Sequence, residues 1–290
     1  LTEAGKNLTR VSFENADIAT VRDIESLNLL QELGIATNNI KITADPAFNL
    51  HSDMKRASEI LKGVQRKGSP LVAVSLRNWA VENSTEAWKR EIADALDLFS
   101  EKYNATFVFI PLQSSSLSPL TDDLAIAKNI TGMMKNSDQA IILQDVMDPE
   151  TISGVIAHTD LVVGMRLHAL IFSVNESIPA VGLVYDPKVE NLMRMVGMQE
   201  FSISMELLNS QHLFELMDRV WGNKEKISAL IAQEAGKLKS RANENSKLAI
   251  QLLEDVTLSA QKKTDANYIH GLLLKQTRKL AEVEKVAHTL

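Results

Sequence analysis

Residues 160–190 read DLVVGMRLHALIFSVNESIPAVGLVYDPKVE. A short β-branched run, Leu161 to Val163, stops at Gly164. A helical pattern follows, with Leu167, Leu170, Ile171 and Val174 on one face. Pro179 ends that pattern, and a second apolar strand runs from Ala180 to Val184. Tyr185-Asp186-Pro187 stops the strand and starts another helix. Strand–helix–strand–helix is the order of a parallel α/β sheet. Arg166 and His168 fall in the first turn after one strand, and Lys188 in the first turn after the next. Open α/β sheets bind ligands beyond the carboxyl ends of their strands. Helix N-termini there favour anions through free N–H groups and the dipole. The three residues therefore suggest a site for phosphate or carboxylate. Each has a plainer reading that stays open: Arg166 in a structural ion pair, His168 packed, Lys188 solvated.

Reading outward, the same grammar recurs on both sides. Upstream, residues 16–21 read as a strand, with Arg22 at its end and a helix from about Ile24 to Leu33 closed by Gly34. Asn39 to Thr43 is a second strand ending at Ala44-Asp45-Pro46, and a helix spans about Ser52 to Lys62. Arg22 is a second anion candidate, or a surface partner of Asp23 or Glu25. Residues 63–70 (GVQRKGSP) are the expected linker. Leu71 to Leu76 opens a fresh α/β run, with Arg77-Asn78-Trp79 at its exit. Asn83 and Glu86 have the spacing of a capping box. They precede a helix whose stripe is Trp88, Ile92, Ala95, Leu96 and Phe99. Thr106 to Ile110 lacks polar alternation, as a strand buried on both faces does. Residues 111–118 form a polar loop that either lines the cleft or merely connects. Helix 122–134, strand 140–143 and helix 149–157 lead back to the opening stretch.

Downstream, Met193, Met195 and Met198 read as core filler. Residues 201–204 read as a last short strand and 206–221 as a helix. Lys224 to about Ser259 reads as one long amphipathic helix striped by Ile227, Leu230, Ile231, Ala235 and Leu238. Residues 264–290 read as a further helix, with Ile269 and Leu272 to Leu274 on one side. Residues 261–290 hold six Lys or Arg against three acids, a net charge of +3. Such a helix suits peripheral contact with an anionic membrane face. The plainer reading weighs more: a solvated face over an apolar stripe that packs on the other domain or on a partner chain.

Four stretches together resemble the polysaccharide pyruvyl transferase family. They are Val21-Arg-Asp-Ile-Glu-Ser26, Thr43-Ala-Asp-Pro-Ala-Phe48, Val74-Ser-Leu-Arg-Asn-Trp79, and Gly164-Met-Arg-Leu-His-Ala-Leu-Ile-Phe172 with Pro179-Ala-Val-Gly-Leu-Val-Tyr-Asp-Pro-Lys-Val189. The resemblance covers about residues 10–220 and is greatest to the CsaB type, which acts on secondary cell-wall polymers of Gram-positive bacteria. It implies an α/β, glycosyltransferase-B-like fold, with Rossmann-like parallel sheets in two domains. The family's Gly-rich opening element has no counterpart in residues 1–20, so the first domain is expected to be only partly present. The expected division is 1–66 for that domain, 67–222 for a second Rossmann-like domain, and 223–290 for C-terminal helices.

The resemblance also implies transfer of pyruvate from phosphoenolpyruvate onto two hydroxyls of one sugar residue, as a cyclic ketal. For the CsaB type the acceptor is N-acetylmannosamine of a lipid-linked precursor, placing the enzyme in the cytoplasm near the inner membrane face. Phosphoenolpyruvate needs cations, which Arg166, Lys188, Arg22 and Arg77 are placed to supply. His168 is the natural acid for the enol carbon. Asp186 and Asp45 are candidates to orient the sugar or act as base, and Tyr185 to contact substrate. The scheme calls for no metal or cofactor. Two other readings stay open. One is a nucleotide-sugar glycosyltransferase or epimerase of the same fold; the other is a non-catalytic module whose C-terminal helices mediate assembly.

Composition bounds the rest. The 290 residues carry a net charge of −6, against the basic character usual in nucleic-acid binders. There is no cysteine, hence no disulfide, zinc–thiolate site or cysteine nucleophile. No apolar run reaches the roughly 18–20 residues of a spanning helix.

Overall fold

The computed structural model describes residues 2–64, 68–79, 87–113, 122–145, 147–262, 274–279 and 281. By contacts the chain divides into two units, Leu1–Pro46 with Lys239–Leu290, and Ala47–Leu238.

The smaller unit opens with a helix that residues 1–15 were not expected to form, α1 (Glu3–Glu14). Thr2 caps it by accepting from the Gly5 N–H at 3.1 Å. Strand β1 (Ala19–Val21) is shorter than the six residues its apolar run suggested. Helix α2 (Ile24–Glu32) is capped by Asp23, whose carboxylate accepts from the Ser26 N–H at 2.7 Å. It stops before Gly34, which takes the left-handed conformation expected of a closing glycine (φ 74°). Strand β2 (Ile40–Ile42) pairs parallel to β1, and Val21, Leu30, Ile35 and Ile40 form a small buried core.

The larger unit starts with α3 (Met54–Ile60), which by sequence sits before the linker. It packs tightly on a helix about a hundred residues on. The Asp53 N–H donates to Glu150 O at 2.9 Å, and the Ser52 and Ser153 hydroxyls meet at 2.8 Å. Residues 65–67 of the expected linker lie outside the described residues. The chain then alternates strand and helix: β3 (Leu71–Ser75), α4 (Ala87–Tyr103), β4 (Thr106–Phe109), α5 (Asp123–Met133), β5 (Ala140–Ile142), α6 (Pro149–Ala157), β6 (Leu161–Gly164), α7 (Leu167–Asn175), β7 (Ala180–Val184), α8 (Pro187–Met195), β8 (Ser202–Ser204) and α9 (Ser210–Gly222). The six strands form one all-parallel sheet in the order β5-β4-β3-β6-β7-β8. Counted from the first strand of this sheet, that is 3-2-1-4-5-6, the doubly wound order.

Burial explains why these runs are strands. Every residue of β3, β4 and β6 is buried, so alternation is absent because both faces are covered. The α4 stripe Trp88, Ile92, Ala95, Leu96 and Phe99 is buried as its spacing implies. The Asn83–Glu86 capping box and most of the 111–118 loop lie outside the described residues.

Helix α10 (Lys224–Lys262) is continuous. Ile227, Ile231, Ala235 and Leu238 are buried, whereas Leu230 is 42 % exposed. The true stripe runs in steps of four, four and three, and Leu230 lies one residue off it. Of the expected final helix, residues 274–279 are helical, with Leu274 half-exposed; Ile269 and Leu272 lie outside the described residues. No helix among the described residues is long and apolar enough to cross a membrane.

Candidate functional site

The order reverses between β3 and β6, the first and fourth strands of the large sheet. Ligands of such sheets bind at that switch point, beyond the carboxyl ends. Register aligns the ends: Ser75 pairs with Gly164, and Gly164 with Gly182. Parallel pairing therefore brings three exits to one edge, each carrying expected site residues. Arg77 follows β3, Arg166 and His168 follow β6, and Tyr185, Asp186 and Lys188 follow β7.

Arg77 and Lys188 converge on Tyr185. The Arg77 Nη1 donates to the Tyr185 hydroxyl at 3.2 Å, and its guanidinium carbon lies 4.9 Å from the ring centroid. Lys188 Nζ lies 5.3 Å from the same centroid. One ring with two cations is a favourable arrangement for each, but the cations repel one another unless an anion joins them. One carboxylate is already present. Asp186 caps α8, accepting from the Lys188 backbone N–H at 3.0 Å, and its other oxygen is 3.4 Å from Lys188 Nζ. Both side chains are about a third exposed, so this pair is weak and easily replaced.

Arg166 is held differently. Its Nε donates to Asp123 Oδ2 at 3.0 Å, its Nη2 to Asp123 Oδ1 at 2.5 Å, and Nη2 also to Gln113 Oε1 at 3.2 Å. Asp123 is buried and also accepts from the Leu112 and Gln113 N–H groups at 3.1 and 3.0 Å. Burial pushes the Asp123 carboxyl above its ordinary value, outweighing the hydrogen bonds and charge of Arg166 and the two N–H groups. The guanidinium fork is thus engaged by protein, and only Nη1 is left without a hydrogen bond among the described residues.

His168 is the second residue of α7 and is exposed. Its ring lies 6.3 Å from that of Phe172, one turn on, and its nitrogens make no hydrogen bond among the described residues. An imidazole so placed is open to contact with a ligand.

Arg22 and Asp45 belong to the smaller unit. Arg22 Nη1 is 3.4 Å from Asp45 Oδ2, and its Nε is 3.5 Å from Asp23 Oδ2. The turn carrying Asp45 is fixed by α10: Arg241 donates to Thr43 O at 2.6 Å, and Asn245 to Ala44 O at 2.9 Å while accepting from the Thr43 hydroxyl at 2.8 Å. These two polar residues, four apart on the long helix, are the positioning pair that sequence reading passed over.

A third feature was not foreseen. An open cleft of about 210 Å³ lies among Trp79, Tyr185, Asp186, Glu190, Ser204 and Glu206, with Val184, Pro187 and Met205 completing its wall. It lies at the carboxyl ends of β7 and β8 and shares Tyr185 and Asp186 with the cation cluster.

Comparison with known proteins bears on the family and the fold. The sequence model of the polysaccharide pyruvyl transferase family matches residues 1–187. The amylovoran biosynthesis protein AmsJ of Erwinia amylovora is 24 % identical over 232 residues, covering 76 % of this chain and 55 % of that protein. The chain thus spans about half the length of this relative. Among solved structures, a putative UDP-N-acetylglucosamine 2-epimerase from Listeria monocytogenes superposes with a TM-score of 0.59 at 13 % identity, over 83 % of this chain and 61 % of that one. A glycosyltransferase from Rickettsia africae gives 0.57 at 12 % identity, over 87 % and 68 %. At such identities the likeness is one of fold, and the fold is glycosyltransferase-B-like.

Proposed function

Because this chain belongs to the polysaccharide pyruvyl transferase family, we propose that it moves pyruvate from phosphoenolpyruvate onto two hydroxyls of one sugar residue, forming a cyclic ketal. The observation that carries the donor assignment is the pair of cations, Arg77 and Lys188, gathered on the Tyr185 ring. Phosphoenolpyruvate presents two anionic groups on three carbons. Each fits a cation of this cluster, with arginine's fork suited to either anion. His168 delivers a proton to C3 of the enol, leaving oxocarbenium character at C2. The first sugar hydroxyl attacks C2 as its proton returns to His168, the C2–O bond to phosphate breaks and phosphate departs, and the second hydroxyl then attacks C2 and closes the ring as its proton passes to a base. Asp186, already beside Lys188, is assigned to receive it. Arg166 is assigned to shaping the β6–α7 turn, with Nη1 left as a donor among the described residues. The reaction as written uses no metal or cofactor. The acceptor is N-acetylmannosamine of a lipid-linked cell-wall precursor, met at the inner membrane face.

A second reading keeps the fold and exchanges the donor for a nucleotide sugar. It is favoured by the solved neighbours, one of which is a putative UDP-N-acetylglucosamine 2-epimerase. A thermal-shift titration separates the two. Ligand at about 100 Kd stabilises by roughly 2.7 kcal/mol. Protection by phosphoenolpyruvate, absent with UDP-N-acetylglucosamine and lost in Lys188→Ala, supports the pyruvyl donor. Protection by the nucleotide sugar alone replaces it with the second reading.

A further inference from the structure

The cleft beside the cation cluster has the opposite electrostatic character. Glu190 and Glu206 are both exposed on its wall, and among the described residues neither carboxylate forms a hydrogen bond or ion pair. The half-buried Trp79 likewise leaves its indole N–H without an acceptor among them. Asp186 adds a third carboxylate to the same wall. A phosphate or carboxylate entering here meets like charge. A metal ion is also a poor fit, because no group of three or more acidic or histidine side chains among the described residues converges to hold one. The chemistry that remains is neutral, rich in hydroxyl donors, and apolar on one face. A sugar ring has that chemistry: its hydroxyls donate to carboxylates in charge-assisted hydrogen bonds, and its C–H face suits an aromatic side chain. Size narrows this further. At about 210 Å³ the cleft is below the usual ligand-site range of roughly 300–1,000 Å³, room for one ring rather than a nucleotide sugar.

Resting on the transferase reading above, we propose that this cleft is the saccharide subsite. It takes one neutral monosaccharide ring of the acceptor, with Glu190 and Glu206 accepting its hydroxyls and Trp79 providing the apolar contact. Tyr185 and Asp186, common to the cleft and the cation cluster, hold the two substrates next to one another. The charge division sorts them, sending the anionic donor to Arg77 and Lys188 and the neutral diol to the carboxylates.

The test is a fluorescence titration of the full chain with the methyl glycoside of N-acetylmannosamine, with methyl galactoside as a second neutral probe and glucose 6-phosphate as the anionic one. Trp88 and Trp221, the other two tryptophans, give a constant background. We expect a saturable change with a neutral glycoside, abolished in Trp79→Phe, and a Kd raised about tenfold in Glu190→Gln and in Glu206→Gln, the loss of one charge-assisted bond each. Unchanged affinity in both carboxamide variants overturns the proposal. So does tighter binding of glucose 6-phosphate, or no saturable change with either neutral glycoside. Phosphoenolpyruvate protection is read on the same samples. Protection without a glutamate-dependent sugar response removes the subsite and leaves the donor reading. A glutamate-dependent sugar response without protection does the reverse.

Discussion

Replacing Arg166 by Ala should destabilise the larger unit rather than remove a direct contact with the donor. The substitution removes the bonds to Asp123 at 3.0 and 2.5 Å and strands a carboxylate whose side chain is 1 % exposed. Breaking a buried pair by deleting one partner costs about 3–5 kcal/mol. The Leu112 and Gln113 N–H groups still solvate Asp123 Oδ2, which puts the expected loss near ~3 kcal/mol. For a unit of this size that is a fall in Tm of about 6–12 °C. The pH dependence has a defined sign. Burial already raises the Asp123 carboxyl above its ordinary 3.8, and without Arg166 the main opposing influence is gone. A carboxyl raised in the folded state contributes stability that is present below its unfolded value and lost as pH rises through the folded value. The deficit of Arg166→Ala relative to wild type should therefore shrink on acidification. Calorimetric melts at neutral and mildly acidic pH measure both effects, and Arg166→Met with Asp123→Asn, which leaves no unpaired charge, should recover most of the loss. A neutral-pH Tm within about 2 °C of wild type, with phosphoenolpyruvate protection lost, would refute the reasoning and make Arg166 a ligand arm instead.

His168→Ala should lower turnover by about 10²–10⁴-fold, the usual contribution of a general acid, with no change in Tm, because the imidazole is exposed and makes no hydrogen bond among the described residues; phosphate release with donor and acceptor present reads the first and a melt the second. Tyr185→Phe keeps the ring under Arg77 and Lys188 but removes the hydroxyl that Arg77 meets at 3.2 Å. It should weaken phosphoenolpyruvate by about fivefold, or roughly 1 kcal/mol, while Tyr185→Leu weakens it further; equal losses in both would show that the ring itself contributes nothing. Gly154→Ala, ordinarily a gain of about 1 kcal/mol inside a helix, should instead destabilise by about 1–3 kcal/mol. Its Cβ would sit 2.5 Å from Asp53 O and 2.9 Å from Ala57 Cβ, where α3 lies against α6. Gly182→Ala should cost less, since the atoms nearest its new Cβ all belong to the pliable side chain of Met193, the first at 2.9 Å; urea midpoints compare the two directly.

What the sequence made readable was whatever repeats along the chain. The all-buried runs of β3, β4 and β6 and the α4 stripe carry their own pattern, so the doubly wound unit followed from residues 160–190 outward. Helix α1 was passed over although Ala4, Leu8 and Val11 fall at helical spacing; its stripe is short, and none of its residues is fully buried. Leu230 was misplaced because two residues one apart both fit a loose helical stripe, and only packing chooses between Leu230 and Ile231. The site shows the same division. Chain position put Arg77, Arg166, His168 and Lys188 at three strand ends on one edge, since each lies within four residues of a strand's last residue. What each cation touches depends on partners far away in sequence. Arg166 meets Asp123, 43 positions back, and Arg77 meets Tyr185, 108 positions on. Two arginines that look alike along the chain therefore differ in kind: one is a clamp closed on a buried carboxylate, the other shares a tyrosine with a lysine. A strand end supplies the opportunity for a site; the long-range partner decides whether the side chain there remains available to a ligand.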